Sequence, residues 1–220
     1  MSRRASLSPG AVAAWREGRV SFNDTPLAQA QVNLVARLIE LFGTVPAPEK
    51  LRSLARAHEG VMAPTSQMRT ARELEPPSPD EGFTRVEEMA FARSAGPDGG
   101  AGVLVAAQAL EDPGWESAIA VSDPSAPHLV FDWTPDASSA RLDAGVARLR
   151  GVVTGPIDGA ACPHGGGPPR CWCRPPLPGL ALAFTTAHGL DPARCVVVGS
   201  GPAHRTLANA LGARHIPVVP

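Results

Sequence analysis

Of the 20 basic residues in this 220-residue chain only one is lysine, Lys50, and there is no tyrosine at all. Lys50 lies in Pro46-Ala47-Pro48-Glu49-Lys50, with no glycine-rich loop ahead of it. No GxxxxGK[ST] phosphate-binding loop therefore exists in this polypeptide, and kinase chemistry that depends on one is excluded for it. The sequence also has no nucleophile-elbow motif and no GxGxxG dinucleotide fingerprint. No apolar run approaches the roughly 20 residues that span a bilayer. Met1-Ser2-Arg3-Arg4 is not followed by an apolar segment of signal-peptide type, so the cytoplasm is the expected compartment. A surplus of charge is missing too. With 21 acidic residues the net charge is -1, which gives neither nucleic acid nor a membrane surface a general attraction.

Loop-forming residues are abundant, with 24 prolines and 22 glycines, but periodic apolar segments separate them and 44% hydrophobic content can build a core. The most informative stretch is Cys162-Pro163-His164, a Gly-Gly-Gly-Pro-Pro-Arg loop, then Cys171-Trp172-Cys173-Arg174. Three of the four cysteines and one of the six histidines fall in these twelve residues. Thiolate and imidazole are the ligands zinc prefers, and Cys162, His164, Cys171 and Cys173 fill its four tetrahedral positions. Residues i and i+2 of extended chain point to one side, so each pair pinches one metal. With four protein ligands no position remains for substrate or water, and the expected Zn2+ is structural. Clustered thiols, with Cys195 alone in an apolar run, suit a reducing compartment rather than a disulfide framework.

In the first hundred residues, positions 1–10 read as a loose arm and 11–16 as a short helix. Arg19 to Phe22 is a strand candidate, and Asp24-Thr25-Pro26 opens a helix that Gly43 stops. A second helix runs from Pro48 to Ala57 with Glu49 in its first turn. Gly82 to Phe91 alternates as a strand does. The order D-T-P-L-A-Q-A-Q-x-N, helix, helix, Arg-bearing segment, E-P-P, G-F, strand, over about residues 19 to 93, resembles the distal half of a P-loop kinase of the polynucleotide kinase type. The resemblance implies a lid whose arginines touch ATP phosphates, here Arg69 and Arg72; a solvated helix face is the alternative. The half of such a kinase that carries the phosphate-binding loop is missing. The chain is then either a truncated gene product or a helical piece put to another use.

A linker follows at 94–101. Beyond it strands and helices alternate: Val103 to Ala107, Leu129 to Phe131, Val152-Val153, Cys195 to Val198 and Ile216 to Val219 as strands, with helices near 115–121, 137–149, 180–188 and 206–211. Alternation with continuous apolar strands predicts a parallel sheet covered on both faces, with ligands beyond the carboxyl ends of its strands. Cys-Pro-His, the glycine loop, Cys-x-Cys-Arg, Pro-x-Pro-Gly and a later Val-Gly resemble the zinc-bearing branch of the haloacid dehalogenase superfamily over about residues 102 to 219. That branch includes heptose-bisphosphate and histidinol-phosphate phosphatases.

The resemblance implies a first-strand aspartate nucleophile, a second aspartate two residues on, phosphate-orienting lysine and Mg2+-holding aspartates after Val-Gly. In this chain those places hold Ala106 and Gln108, then Pro175 and Leu177, then Ser200 and His204; only Arg174 remains as a phosphate-binding cation. Single groups of this kind are each worth about 10² to 10⁴ in rate, so the set as a whole is erased. One alternative keeps catalysis. Asp132 also follows an apolar strand and would act as nucleophile with Thr134 as acid and Asp136 or Asp158 on Mg2+.

The expected protein is thus α/β: residues 1–93 a kinase-derived helical segment, and 102–220 a degenerate, compact haloacid dehalogenase-like parallel sheet of Rossmann type with a zinc loop. The leading expectation is a non-catalytic binding or assembly protein. The rivals are a Mg2+-dependent phosphomonoester phosphatase and a subunit of a split kinase partnered by a P-loop protein. No membrane partner is expected.

Overall fold

A computed structural model describes residues 19–23, 27–73, 77–89, 99–135, 138–168 and 170–218. The arm at 1–10, the helix at 11–16, the Asp24-Thr25-Pro26 cap, Glu75-Pro76, most of the linker and Asp136 lie outside them. Strands Arg19–Asn23 (β1) and Arg85–Met89 (β2) pair in parallel, Arg19 opposite Arg85. Between them run helices Leu27–Phe42 (α1), Pro48–Ala57 (α2) and Pro64–Glu73 (α3). The chain stops α1 with Gly43 at φ 70°, a left-handed conformation that suits glycine. Proline at the first turn and Glu49 beside it start α2.

The second half begins with Val103–Ala106 (β3), all four residues buried, followed by a 3-10 turn at Ala107–Glu111 and helix Trp115–Ala120 (α4). Then come His128–Trp133 (β4), helix Ala140–Arg150 (α5), Ile157–Cys162 (β5), helix Gly179–Ala187 (α6), Val196–Gly199 (β6), helix Pro202–Leu211 (α7) and Arg214–Pro217 (β7). These five strands form one sheet in the order β5-β4-β3-β6-β7, parallel throughout. β3 is therefore central, and the strand order reverses on either side of it. In such a sheet the crevice at the reversal, beyond the carboxyl ends, is where ligands sit.

Side chains alternate across β4 and decide which helix each meets. Val130 faces α5, where a Cβ on Gly145 would lie 3.2 Å from its Cγ1. Phe131 faces the other way and meets the His204 ring of α7 edge-on at 5.8 Å. α1 lies over α6 and α7, and its Val32, Val35, Leu38 and Ile39 join the same apolar cluster as Leu104, Val105, Val197 and Leu207 of the second half. The Gln29 amide adds a hydrogen bond to the Ala210 carbonyl, 3.0 Å. The apolar side of the first segment is thus covered by the helices of the second.

One strand differs from expectation. Val152 and Val153 are not a strand; their N–H groups donate back to the Leu149 carbonyl at 3.0 and 3.1 Å, prolonging the end of α5. The third strand is Ile157-Asp-Gly-Ala-Ala-Cys162, a run of mostly small residues at the sheet edge, so its carboxyl end is Cys162 rather than the residues just after Val153. Smaller shifts affect Gly82 to Phe91, where the described strand is only Arg85–Met89, and α7, which begins a full turn early at Pro202.

Candidate functional site

The Cys/His cluster grows directly from the sheet. β5 ends at Cys162, whose carbonyl still accepts the Thr134 N–H at 3.0 Å, and the chain then leaves as the glycine loop. Cys162, His164, Cys171 and Cys173 come together with all ligand atoms within 4.8 Å of one another. Cys162 Sγ lies 3.4 Å from His164 Nδ1, 3.5 Å from Cys171 Sγ and 3.3 Å from Cys173 Sγ, and His164 Nδ1 lies 3.2 Å from Cys173 Sγ. A tetrahedral zinc with sulfur at about 2.3 Å has ligand–ligand edges of about 3.7 Å. An outward shift of a few tenths of an ångström accommodates the ion.

The chemistry of the donors points the same way. Hydrogen bonding with Cys162, then with Cys173, holds the Cys171 thiol far below its ordinary value, helped by the Arg174 and Cys173 N–H groups. The same sharing pushes Cys162 and Cys173 up. A divalent cation replaces those shared protons and lets all three ionise. These four residues fit a metal such as zinc.

Outside the ligands, the loop is held at three points. The Trp133 indole N–H donates to the His164 carbonyl at 2.7 Å. The Arg174 guanidinium donates to the Gly165 and Gly167 carbonyls and stacks 5.2 Å over the Trp133 ring. Trp172, wholly buried between two ligands, donates its indole N–H to the Met62 carbonyl at 3.0 Å, 110 residues away, and so ties the loop to the first segment. Arg174, expected on a phosphate, is instead engaged with loop backbone.

Asp132 lies elsewhere, in a cavity of about 160 Å³ beyond the carboxyl ends of β3 and β4. Ala106, Gln108, Phe131, Arg141, Pro175 and His204 are among its walls. Only 6% of Asp132 is exposed, and Arg141, on the first turn of α5, meets it bidentately at 2.8 and 2.6 Å. Its Oδ1 also accepts the Trp133 N–H at 2.7 Å. Asp158 cannot join it. Opposite Leu129 in register, Asp158 stands three rows from Asp132, about 10 Å along the strand, and pairs with His188 at 2.8 Å. Thr134 is buried one step beyond β4.

Of the remaining expected positions, the two lid arginines fall outside this cavity. Arg69 and Arg72 are exposed on α3, where Arg69 ion-pairs with Glu73 at 3.9 Å. Ala106 and Gln108 do line the cavity, at the end of β3 and just after it. Arg141 and Trp172 were not among the expected site residues. Nothing in their local sequence marks them, because their partners are nine and 110 residues away.

No family model matches the chain, and no curated protein matches it. Among solved structures, one that matches is a HAD-superfamily hydrolase, subfamily IA, variant 1, from Geobacter sulfurreducens. The two share 12% identity over 91% of this chain and 87% of that one, with a TM-score of 0.33. No helix among the described residues is long and apolar enough to cross a membrane.

Proposed function

We propose that the chain is a zinc-stabilised haloacid dehalogenase-like domain that has lost its catalytic aspartates, preceded by a kinase-derived helical segment, and that it works by binding or assembly in the cytoplasm. One observation carries this reading. At the carboxyl end of the central strand, where a reacting carboxylate is needed, stand Ala106 and Gln108, and the carboxylate among the described cavity residues, Asp132, is already engaged. Asp132 accepts two hydrogen bonds from Arg141 and one from backbone, which leaves it a poor nucleophile and gives Mg2+ no second carboxylate among the described cavity residues.

Two further observations support the fold assignment: the strand order with β3 at its centre, and the four-ligand loop issuing from the third strand. Zinc here is structural, because all four of its positions are taken by protein. The test is phosphate release by zinc-loaded protein with Mg2+ on sugar bisphosphates, histidinol phosphate and 3′-phosphate DNA ends, beside an Asp132→Ala control. No release from folded protein is the expected result. Mg2+-dependent release that the control abolishes would overturn the reading and establish a relocated nucleophile.

A further inference from the structure

His204 is seated with more care than a surface histidine needs. The Gly199-Ser200-Gly201 turn after β6 is shaped around its ring. A Cβ on Gly199 would come within 2.5 Å of the His204 Cβ, Cγ and Nδ1 atoms, so only glycine leaves room there. The Gly201 N–H then donates to Nδ1 at 3.1 Å. An imidazole that accepts at Nδ1 carries its proton at Nε2, so the turn fixes both ring orientation and tautomer. Phe131 packs edge-on against the ring from β4. The residue is 9% exposed and lines the 160 Å³ cavity.

The charge of that cavity is as informative as its shape. No lysine lines it, and its carboxylate, Asp132, and its guanidinium, Arg141, hold each other bidentately. Burial, and after it the nearby His215, keep His204 below its ordinary value, with Asp132 opposing, so the imidazole is neutral near pH 7. An entering phosphate would meet the Asp132 carboxylate, with no uncommitted cation among the described cavity residues to receive it. The polar groups left for a ligand are neutral ones: the His204 Nε2–H, a donor, and the Gln108 amide, which donates and accepts. Ala106, Ala107, Phe131, Pro175 and Ala203 supply apolar walls. A cavity of about 150 Å³ in another protein holds benzene, so one six-membered ring is the size that fits.

We infer that this cavity binds a small, planar, uncharged amide or lactam, with its carbonyl oxygen on His204 Nε2 and its N–H on the Gln108 side-chain oxygen. The inference rests on the non-catalytic reading above, since a hydrolysed phosphate ester needs the same space. Donor and acceptor on the wall are complementary to the acceptor and donor of a cis amide, and the apolar walls take the ring faces.

The experiment titrates zinc-loaded protein with 2-pyridone, with uracil and, as the anion arm, with inorganic phosphate, while NMR follows the imidazole nitrogens. The expected result is saturable movement of the His204 signals with both lactams, Kd on the order of 1 mM for ligands of this size, and none with phosphate. Gln108→Leu, at an exposed position that leaves the His204 seat intact, weakens lactam binding about two- to tenfold, as losing one hydrogen bond implies. His204→Leu does the same. Phosphate binding without lactam binding, or lactam binding unchanged in both variants, overturns the inference. The two readings separate cleanly: protein that releases no phosphate and binds no lactam sinks this inference alone, whereas hydrolysis lost in Asp132→Ala sinks the non-catalytic reading as well.

Discussion

Two tryptophans donate their indole N–H to a backbone carbonyl near the metal loop, and replacing each by phenylalanine asks what such a bond is worth. Trp133 makes the shorter bond, 2.7 Å to His164, but is 38% exposed. Trp172 makes the longer one, 3.0 Å to Met62, and is fully buried. If bond length governed the cost, Trp133→Phe would hurt more. Burial predicts the reverse. At Trp133 water replaces the lost donor, and the loss is about 0.5–1.5 kcal/mol. At Trp172 the Met62 carbonyl is left without its partner in the interior, which costs about 1–3 kcal/mol. Phenylalanine also leaves about 40 Å³ unfilled, adding ~1 kcal/mol at about 24 cal/mol per Å³. Trp172→Phe should therefore lose about 2–4 kcal/mol, and the melting temperature of a chain this long should fall by roughly 4–15 °C. Urea and thermal unfolding of zinc-loaded protein, followed by circular dichroism with zinc content measured alongside, give both numbers. A loss for Trp172→Phe no larger than for Trp133→Phe, at one retained zinc per chain, would refute the reasoning.

Gly179 opens α6 directly against the loop, and a Cβ there would sit 2.5 Å from the Trp172 carbonyl oxygen. Because backbone cannot swing aside as a side-chain tip can, Gly179→Ala should cost about 2 kcal/mol or more, whereas Gly165→Ala, which meets nothing within 4 Å, should cost under about 0.5 kcal/mol; urea midpoints compare them. His128 is wholly buried at the start of β4, bonded through Nδ1 to the Ala126 carbonyl at 2.7 Å and with Nε2 unpartnered. Burial holds it below the ordinary 6.5, so the unfolded chain takes up a proton that the folded one does not. Stability is then full above about pH 6.5 and declines as pH falls below it, by up to about 1.4 kcal/mol per unit from this group. Unfolding midpoints from pH 8 to pH 6 should show the decline, and His128→Gln should flatten it; an equal slope in the variant would reject the assignment.

How far the chain could be read ahead of its structure differs from element to element. α2 was legible to the residue, because proline and glutamate at its start and the dipole-matched Arg56 at its end are local signals. The gathering of Cys162, His164, Cys171 and Cys173 into one cluster was legible for the same reason, since their spacing lies within twelve residues. β5 was not, because Asp158-Gly159-Ala160-Ala161 has neither alternation nor β-branched residues, and it is a strand only by pairing with β4. The Val152-Val153 pair looked more like a strand and turned out to close a helix. The cavity was half legible. Ala106 and Gln108 followed from the position of β3, but the Asp132–Arg141 pair depends on which face of β4 meets α5, a property of the packed sheet. The seat of His204 is similar, since a Gly-Ser-Gly turn says nothing by itself about the ring it encloses.

The place of α1 has a consequence for how the protein is made. Its apolar stripe is covered by α6 and α7, and the Gln29–Ala210 bond spans 181 residues of chain. A ribosome adding about 5–20 residues per second leaves that stripe without its cover for roughly 10–35 s. During that interval the first segment is in the position of a client awaiting its own C-terminal half. Chaperone demand should therefore fall on nascent chains that have emitted α1 but not yet α7, and shortening the message before Pro202 should yield an insoluble product rather than a smaller folded one.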